Sequence, residues 1–156
     1  MKKFILLENT RRDDQKKVMD EIAEQKHCPF CPENLLKYHK NPIIKEGKYW
    51  ILTENQWPYD KVKHQLLAIY KTHIEHISEI DREAGAELVE FFQEQAVKRS
   101  IPGGGIAIRF GSNLEHGTYG NSVLHLHAHL IEPDLEALDQ DESWKFKFGQ
   151  RNKIKK

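Results

Sequence analysis

The sequence predicts an α+β domain with a central antiparallel β-sheet and helices packed on it. Short runs of β-branched and aromatic residues follow one another as hairpins. Helical patterns punctuate them, and the regular strand-helix alternation of a doubly wound parallel sheet is missing. A chain of 156 residues suits one such domain with a core of useful size.

Taken in order, Thr10 followed by Asp13 resembles a capping box, and Val18, Met19, Ile22 and Ala23 then recur at helical spacing, which predicts a first helix over roughly residues 11 to 26. Pro29 and Pro32 stop a continuous helix and place Cys28 and Cys31 on a tight turn. Ile43 and Ile44, the pair Glu46-Gly47 and Tyr49 to Leu52 read as a hairpin, with Gln65 to Tyr70 as a further strand beyond a loop at Asn55 to Asp60. Asp81 is a good N-cap for a helix over about 82 to 99, whose apolar stripe is Gly85, Leu88, Val89, Phe92 and Ala96. Pro102 and the glycines 103 to 105 end it. Ile106, Ile108 and Phe110 then alternate with Ala107 and Arg109 as a half-buried strand does. Val123 to Ile131 forms another strand, and Trp144 to Phe148 reads as a last one.

The charges cancel, with 24 Lys+Arg against 24 Asp+Glu, so no global field holds a polyanion such as duplex DNA, and there is no strong case for nucleic acid. The apolar run Phe4 to Leu7 is too short for a signal peptide or a bilayer span, which predicts a cytoplasmic protein with no membrane partner. In a reducing compartment, Cys28-Pro29-Phe30-Cys31 is a redox pair or half of a metal site.

The informative segment is His125-Leu126-His127-Ala128-His129-Leu130-Ile131. On a strand, its three imidazoles point the same way at intervals of about 6.5 to 7 Å, while Leu126, Ala128 and Leu130 face the core. Two chemistries use such a row. Two or more rings can bind a catalytic zinc that turns water into a nucleophile. Alternatively, a neutral ring nitrogen can itself attack phosphorus and form a covalent phosphoramidate. The second needs donors for phosphate oxygens, and Asn113 with Gly120-Asn121-Ser122 supplies them just upstream.

These residues resemble the histidine triad (HIT) superfamily, whose signature His-φ-His-φ-His-φ-φ, with φ apolar, is met at every position. The likeness extends through CPFC, the strand running into Lys71-Thr72-His73-Ile74, the helix from 82 and Gly-Asn-Ser-Val at 120 to 123. It covers about residues 28 to 149 of a single HIT-like domain, with 1–27 an N-terminal helix and 150–156 a basic tail.

The resemblance implies a domain usually paired as a homodimer that acts on the α-phosphate of a nucleotide, usually an adenine nucleotide. By position, His127 is the implied nucleophile and His129 orients the phosphates or the nucleophile. Asn113, Asn121 and Ser122 are the implied phosphate contacts, and Asn55 meets the base or ribose. In the uridylyltransferase branch and several small bacterial members, a CxxC pair binds zinc with a His after the strand and the first His of the triad. Here those are Cys28, Cys31, His73 and His125, which implies a structural zinc and no catalytic metal. A thioredoxin-like pair competes, but that arrangement starts a helix after a strand, whereas CPFC follows a helical pattern.

The expected activity is that of a nucleotide hydrolase or nucleotidyltransferase, on a dinucleoside polyphosphate or an AMP phosphoramidate, through a nucleotidyl-His127 intermediate. His129 stands where the uridylyltransferase branch carries Gln, which favours hydrolysis. The alternatives are a zinc-dependent hydrolase with triad ligands and a non-catalytic nucleotide-binding module.

Overall fold

The computed structural model describes residues 3–111 and 115–151. Its strands are β1 (Ile43–Glu46), β2 (Trp50–Glu54), β3 (Val62–Tyr70), β4 (Gly105–Arg109), β5 (Gly117–Thr118), β6 (His127–Pro133) and β7 (Gln150–Arg151), and its α-helices are α1 (Asp13–Gln25), α2 (Pro32–Tyr38) and α3 (Arg82–Lys98). Five strands form one sheet in the order β1-β2-β3-β6-β4, antiparallel throughout, and β5 pairs with β7 in a short ribbon. This is the α+β architecture the sequence predicts. Among the described residues no helix is long and apolar enough to cross a membrane.

The period-2 alternation of the strands divides the sheet into two faces. On one, Trp50, Leu52, Leu66, Ala68, Tyr70, Leu126, Ala128 and Leu130 share a core with Ala84, Leu88, Phe91 and Phe92 of α3, and the Trp50 indole N–H donates to the Ala84 carbonyl at 2.7 Å. On the other, Ile51, Leu67 and Ile69 pack on Leu35 of α2, while Met19 and Ile22 of α1 close on Ile5, Cys28 and Val123. The triad belongs to this second face.

The stripe of α3 is rotated from the expected one. Ala84, Leu88, Phe91, Phe92 and Gln95 are buried, and Val89 is 60% exposed. The Glu87 carboxylate accepts from the backbone N–H groups of Lys48, Tyr49 and Trp50 at 2.8, 2.9 and 2.9 Å, which holds the β1–β2 turn against α3. A Cβ at Gly47 would lie 2.5 Å from this carboxylate, so a side chain there would push Glu87 off the amides it accepts from. Glu87→Ala strands three amides and is expected to cost about 1–3 kcal/mol, read as a lower urea midpoint at unchanged slope. Asp81 precedes α3 but makes no capping bond; its carboxylate accepts instead from the Tyr70 hydroxyl at 3.3 Å.

Other boundaries differ for identifiable reasons. The Thr10 hydroxyl donates to the Leu7 carbonyl at 2.7 Å, so the capping box does not form and Arg12 is the N-cap of α1. Pro32 opens α2, where its missing N–H is no loss, and the amides of Asn34 and Leu35 donate to the Cys31 carbonyl. The triad strand begins at His127, not Val123. Residues 122 to 124 pair with the N-terminal segment instead, through Leu6 N–H to Ser122 O, Leu124 N–H to Phe4 O and the Ile5–Val123 bridge. Trp144 to Phe148 is not a strand; its Trp144 and Phe146 rings meet Tyr59 edge to face, and the last strand is β7. On the edge strand β4, Ile106 is 55% exposed. Gly104 approaches the Ile131 carbonyl so closely that a Cβ would collide with it, in keeping with the helix-to-strand turn read from the glycine run.

Candidate functional site

The three triad imidazoles have three different hydrogen-bonding environments, and each fixes a tautomer. His125 lies just before β6; its Nε2–H donates to the Tyr70 carbonyl, which leaves the Nδ1 lone pair facing the two cysteines. At His127, Nδ1–H donates to the carbonyl of His125 at 2.7 Å, so the lone pair falls on Nε2. At His129 the order is reversed by Gln65. The Tyr59 amide donates to Gln65 Oε1 at 2.7 Å, which turns the Gln65 amide nitrogen toward His129 Nδ1 at 3.1 Å. Nδ1 therefore accepts, and Nε2 of His129 carries a proton to offer.

All three rings are buried. Burial, which disfavours the charged form, pushes His127 down to about 4, helped by the Arg109 charge. His125 is likewise lowered to about 4, and His129 falls well below its ordinary value through burial and the charges of His127, Arg109 and Arg11. Neutral imidazole is the form that can act as nucleophile or metal ligand.

Cys28, Cys31, His73 and His125 come together, with ligand atoms all within 4.8 Å of one another. His73 Nδ1 and His125 Nδ1 are 3.2 Å apart; Cys28 Sγ is 3.3 Å from His125 Nδ1, and Cys31 Sγ is 3.5 and 3.9 Å from the two rings. Tetrahedral zinc with Zn–S of about 2.3 Å and Zn–N of about 2.0–2.1 Å requires N–N near ~3.3 Å and S–N near ~3.5 Å. The donor set thus fits the ion in type and spacing. The carbonyl behind His125 and Glu75 Oε1, 3.4 Å from His73 Nε2, are the outer partners that ligating histidines need. Burial raises the Cys28 thiol to about 12, so a metal must displace its proton on binding. CPFC follows α1, as the sequence predicts, but Cys31 is also the N-cap of α2, so helix placement by itself does not separate a metal site from a redox pair. The two imidazole nitrogens among the sulfurs are what favour metal over redox chemistry.

His127 and His129 open on a cleft that Gln15, Phe30, Trp57 and Gly120 also line. Asn55, Asn121 and Ser122 line it as well. Asn55 also closes its own loop, accepting from Trp57 N–H at 3.0 Å. Asn121 is 4% exposed, and its side-chain oxygen is buried without a hydrogen-bond partner among the described residues. Asn113 lies outside the described residues. His116 is 71% exposed beside Glu115 and does not line the cleft. The remaining histidines have ordinary partners: His27 with Tyr38, His39 with Thr53, His64 with Glu132 and His76 with Ser78.

Sequence reading missed Gln65, Tyr59, Phe30, Arg11 and Arg109. Phe30 sets its edge against His127, centroids 5.2 Å apart, and against His125 at 6.1 Å, so the cysteine knuckle also packs the ring next to it. Arg109 is the register partner of His127 across β4 and β6 and shares its face. Its signal was present, as the charged member of an alternating strand. Arg11 and Tyr59 carried none, because only the fold brings their loops to the sheet.

No family model and no curated protein matches the chain. Solved structures do. A Hit-like protein is 27% identical, covering 61% of this chain and 88% of its own, with a TM-score of 0.50. A HIT family hydrolase from Legionella pneumophila Philadelphia 1 is 22% identical, over 67% and 91%, at 0.52. A zinc-bound histidine triad family protein from Mycobacterium smegmatis is 20% identical, over 77% and 81%, at 0.53. With this sheet around a complete His-φ-His-φ-His-φ-φ segment and a Cys-x-x-Cys pair folded against its first histidine, the chain has the fold of these histidine triad proteins and carries the histidine triad signature.

Proposed function

We propose that this protein is a nucleotide hydrolase that attacks the α-phosphate of an adenine nucleotide with His127 Nε2. The observation that carries the reading is the bond from His127 Nδ1–H to its own strand's carbonyl, which leaves a neutral, oriented lone pair on the other nitrogen in the cleft. In the first step that lone pair forms an N–P bond while the bond from phosphorus to the leaving oxygen breaks, its electrons departing with the leaving group. In the second, water attacks phosphorus, the N–P pair returns to Nε2, and the water's proton passes to solvent. The Nε2–H of His129 donates to a phosphate oxygen, and Asn121 and Ser122 complete the contacts. The likeness to a hydrolase from Legionella pneumophila supports this reading at the level of the family.

A zinc ion held by Cys28, Cys31, His73 and His125 would supply a structural cross-link and no chemistry at phosphorus. Use of His127 as a zinc ligand is disfavoured, since it lies outside the four-donor cluster and its Nδ1 is taken. The zinc-bound relative from Mycobacterium smegmatis supports metal binding here.

The test is AMP release from diadenosine tetraphosphate and from adenosine 5′-phosphoramidate, with calorimetric binding alongside. Turnover of either supports the reading; tight binding with no turnover of either would overturn it in favour of a nucleotide-binding module. Gln65→Glu keeps an acceptor for the Tyr59 amide but draws the His129 proton onto Nδ1. It is expected to lower kcat about 10- to 100-fold by removing the phosphate donor, with the changed tautomer visible in 15N spectra of the histidine rings.

A further inference from the structure

We infer that Arg11 and Arg109 form an anion clamp at the mouth of the triad cleft that selects substrates by the charge of their leaving group. The inference rests on the reading of His127 as the attacking group. Both guanidiniums line the cleft with His127 and His129, and both act electrostatically on His129. They meet across one ring: the Arg11 guanidinium lies over the face of Tyr59, 3.8 Å from its centroid, and Arg109 Nη1 donates to the Tyr59 hydroxyl at 2.8 Å.

Their partners set these arginines apart. Arg12 is paired with Asp14 and Arg99 with Glu54. Arg11 donates to the Trp57 carbonyl, and Arg109 to the Lys147 carbonyl and to Tyr59; among the described residues neither makes an ion pair, and Asp60 acts on Arg11 only at a distance. Two positive charges thus stand in one cleft with no carboxylate among the described residues that line it. Gly120 makes room for the second. It has a φ of +94°, and a Cβ there would lie 3.0 Å from Arg109 Nε. Phe146 covers the other side of that guanidinium at 3.8 Å, so the fork is held in place before any ligand arrives.

The chemistry follows from charge. A leaving group that departs as a polyphosphate gains negative charge at oxygen as its bond to the α-phosphorus breaks, and a fixed guanidinium stabilises that charge. An amine leaving group gains none that arginine can hold; it needs a proton. The clamp therefore favours nucleotides whose α-phosphate is followed by further phosphates over those with an amine in that place.

The experiment titrates inorganic tripolyphosphate, which carries no nucleoside, into the protein and into Arg11→Gln, Arg109→Gln and Arg109→Lys by calorimetry. It also compares kcat/KM on diadenosine tetraphosphate and on adenosine 5′-phosphoramidate. Each Gln variant is expected to weaken tripolyphosphate about 10- to 100-fold, the range of charged hydrogen bonds, and to lower the polyphosphate-to-phosphoramidate ratio of kcat/KM at least about tenfold. Arg109→Lys should recover part of the affinity. Arg11 sits at the exposed mouth, so its variant reads the clamp even if Arg109→Gln fails to fold. Unchanged tripolyphosphate binding, or equal loss on both substrates, overturns the clamp. If the catalytic reading fails, with neither substrate consumed, loss of tripolyphosphate binding in the variants still supports the anion site, and retention rejects it.

Discussion

Protein exposed briefly to diadenosine tetraphosphate and quenched in alkaline denaturant is expected to gain the mass of one adenylyl group, and His127→Asn is expected to gain none. The alkaline quench matters because phosphohistidine is labile to acid. Asn can keep a donor near the His125 carbonyl but has no ring nitrogen to bond phosphorus, so turnover should fall by roughly 10⁴-fold or more, as when a covalent nucleophile is removed from an otherwise intact site. The same variant should keep its zinc, because the four-donor cluster does not include His127. Substrate consumption without an adduct, joined to metal loss in the variant, would instead identify His127 as a ligand of a catalytic zinc.

The second large effect is on stability. The purified protein is expected to hold about one zinc per chain, and Cys28→Ser to hold almost none, as read by elemental analysis. The four donors come from the turn before α2, the segment after β3 and the run into β6, so the ion would tie the cysteine turn to two segments that Leu126 N–H to Ile74 O and Tyr70 N–H to Leu126 O already join. With free zinc about 1,000-fold above its dissociation constant, the native state gains about 4 kcal/mol by linkage, and a chelator or Cys28→Ser should lower the melting temperature accordingly. Phe30, which lies between the cysteines and packs on His127, would lose its anchor, so activity should fall with the metal. Melting that ignores both chelator and substitution would exclude a structural zinc.

Much of the frame was legible before folding was considered. The nearly continuous apolar run from Gln65 to Tyr70 and the alternation in Leu126 to Leu130 mark strands, and β3 and β6 stand at the centre of the sheet. The helix after Asp81 was equally plain, yet its buried face was not. Its rotation depends on Glu87 reaching the amides of a distant turn, a contact no periodicity encodes. The helix α2 escaped because two prolines read as a break, although a proline at a first helical position begins one. The triad strand was started four residues too early, since alternation cannot say that residues 122 to 124 pair with the N-terminal segment.

For the site, local sequence determined the row of histidines, the cysteine pair and the loop beside them, because these signals depend on spacing within a few residues. The resemblance supplied His73 as a partner, and tertiary structure brought its Nδ1 to 3.2 Å from that of His125. Tertiary structure alone decided which nitrogen of each imidazole carries a proton, since that rests on the Tyr70 carbonyl, the His125 carbonyl and Gln65. It also decided that two arginines nearly a hundred residues apart meet across Tyr59. Spacing along a strand sets which side chains share a face. Charge, tautomer and burial are set by atoms that arrive from elsewhere in the chain, and those are the properties that determine the chemistry.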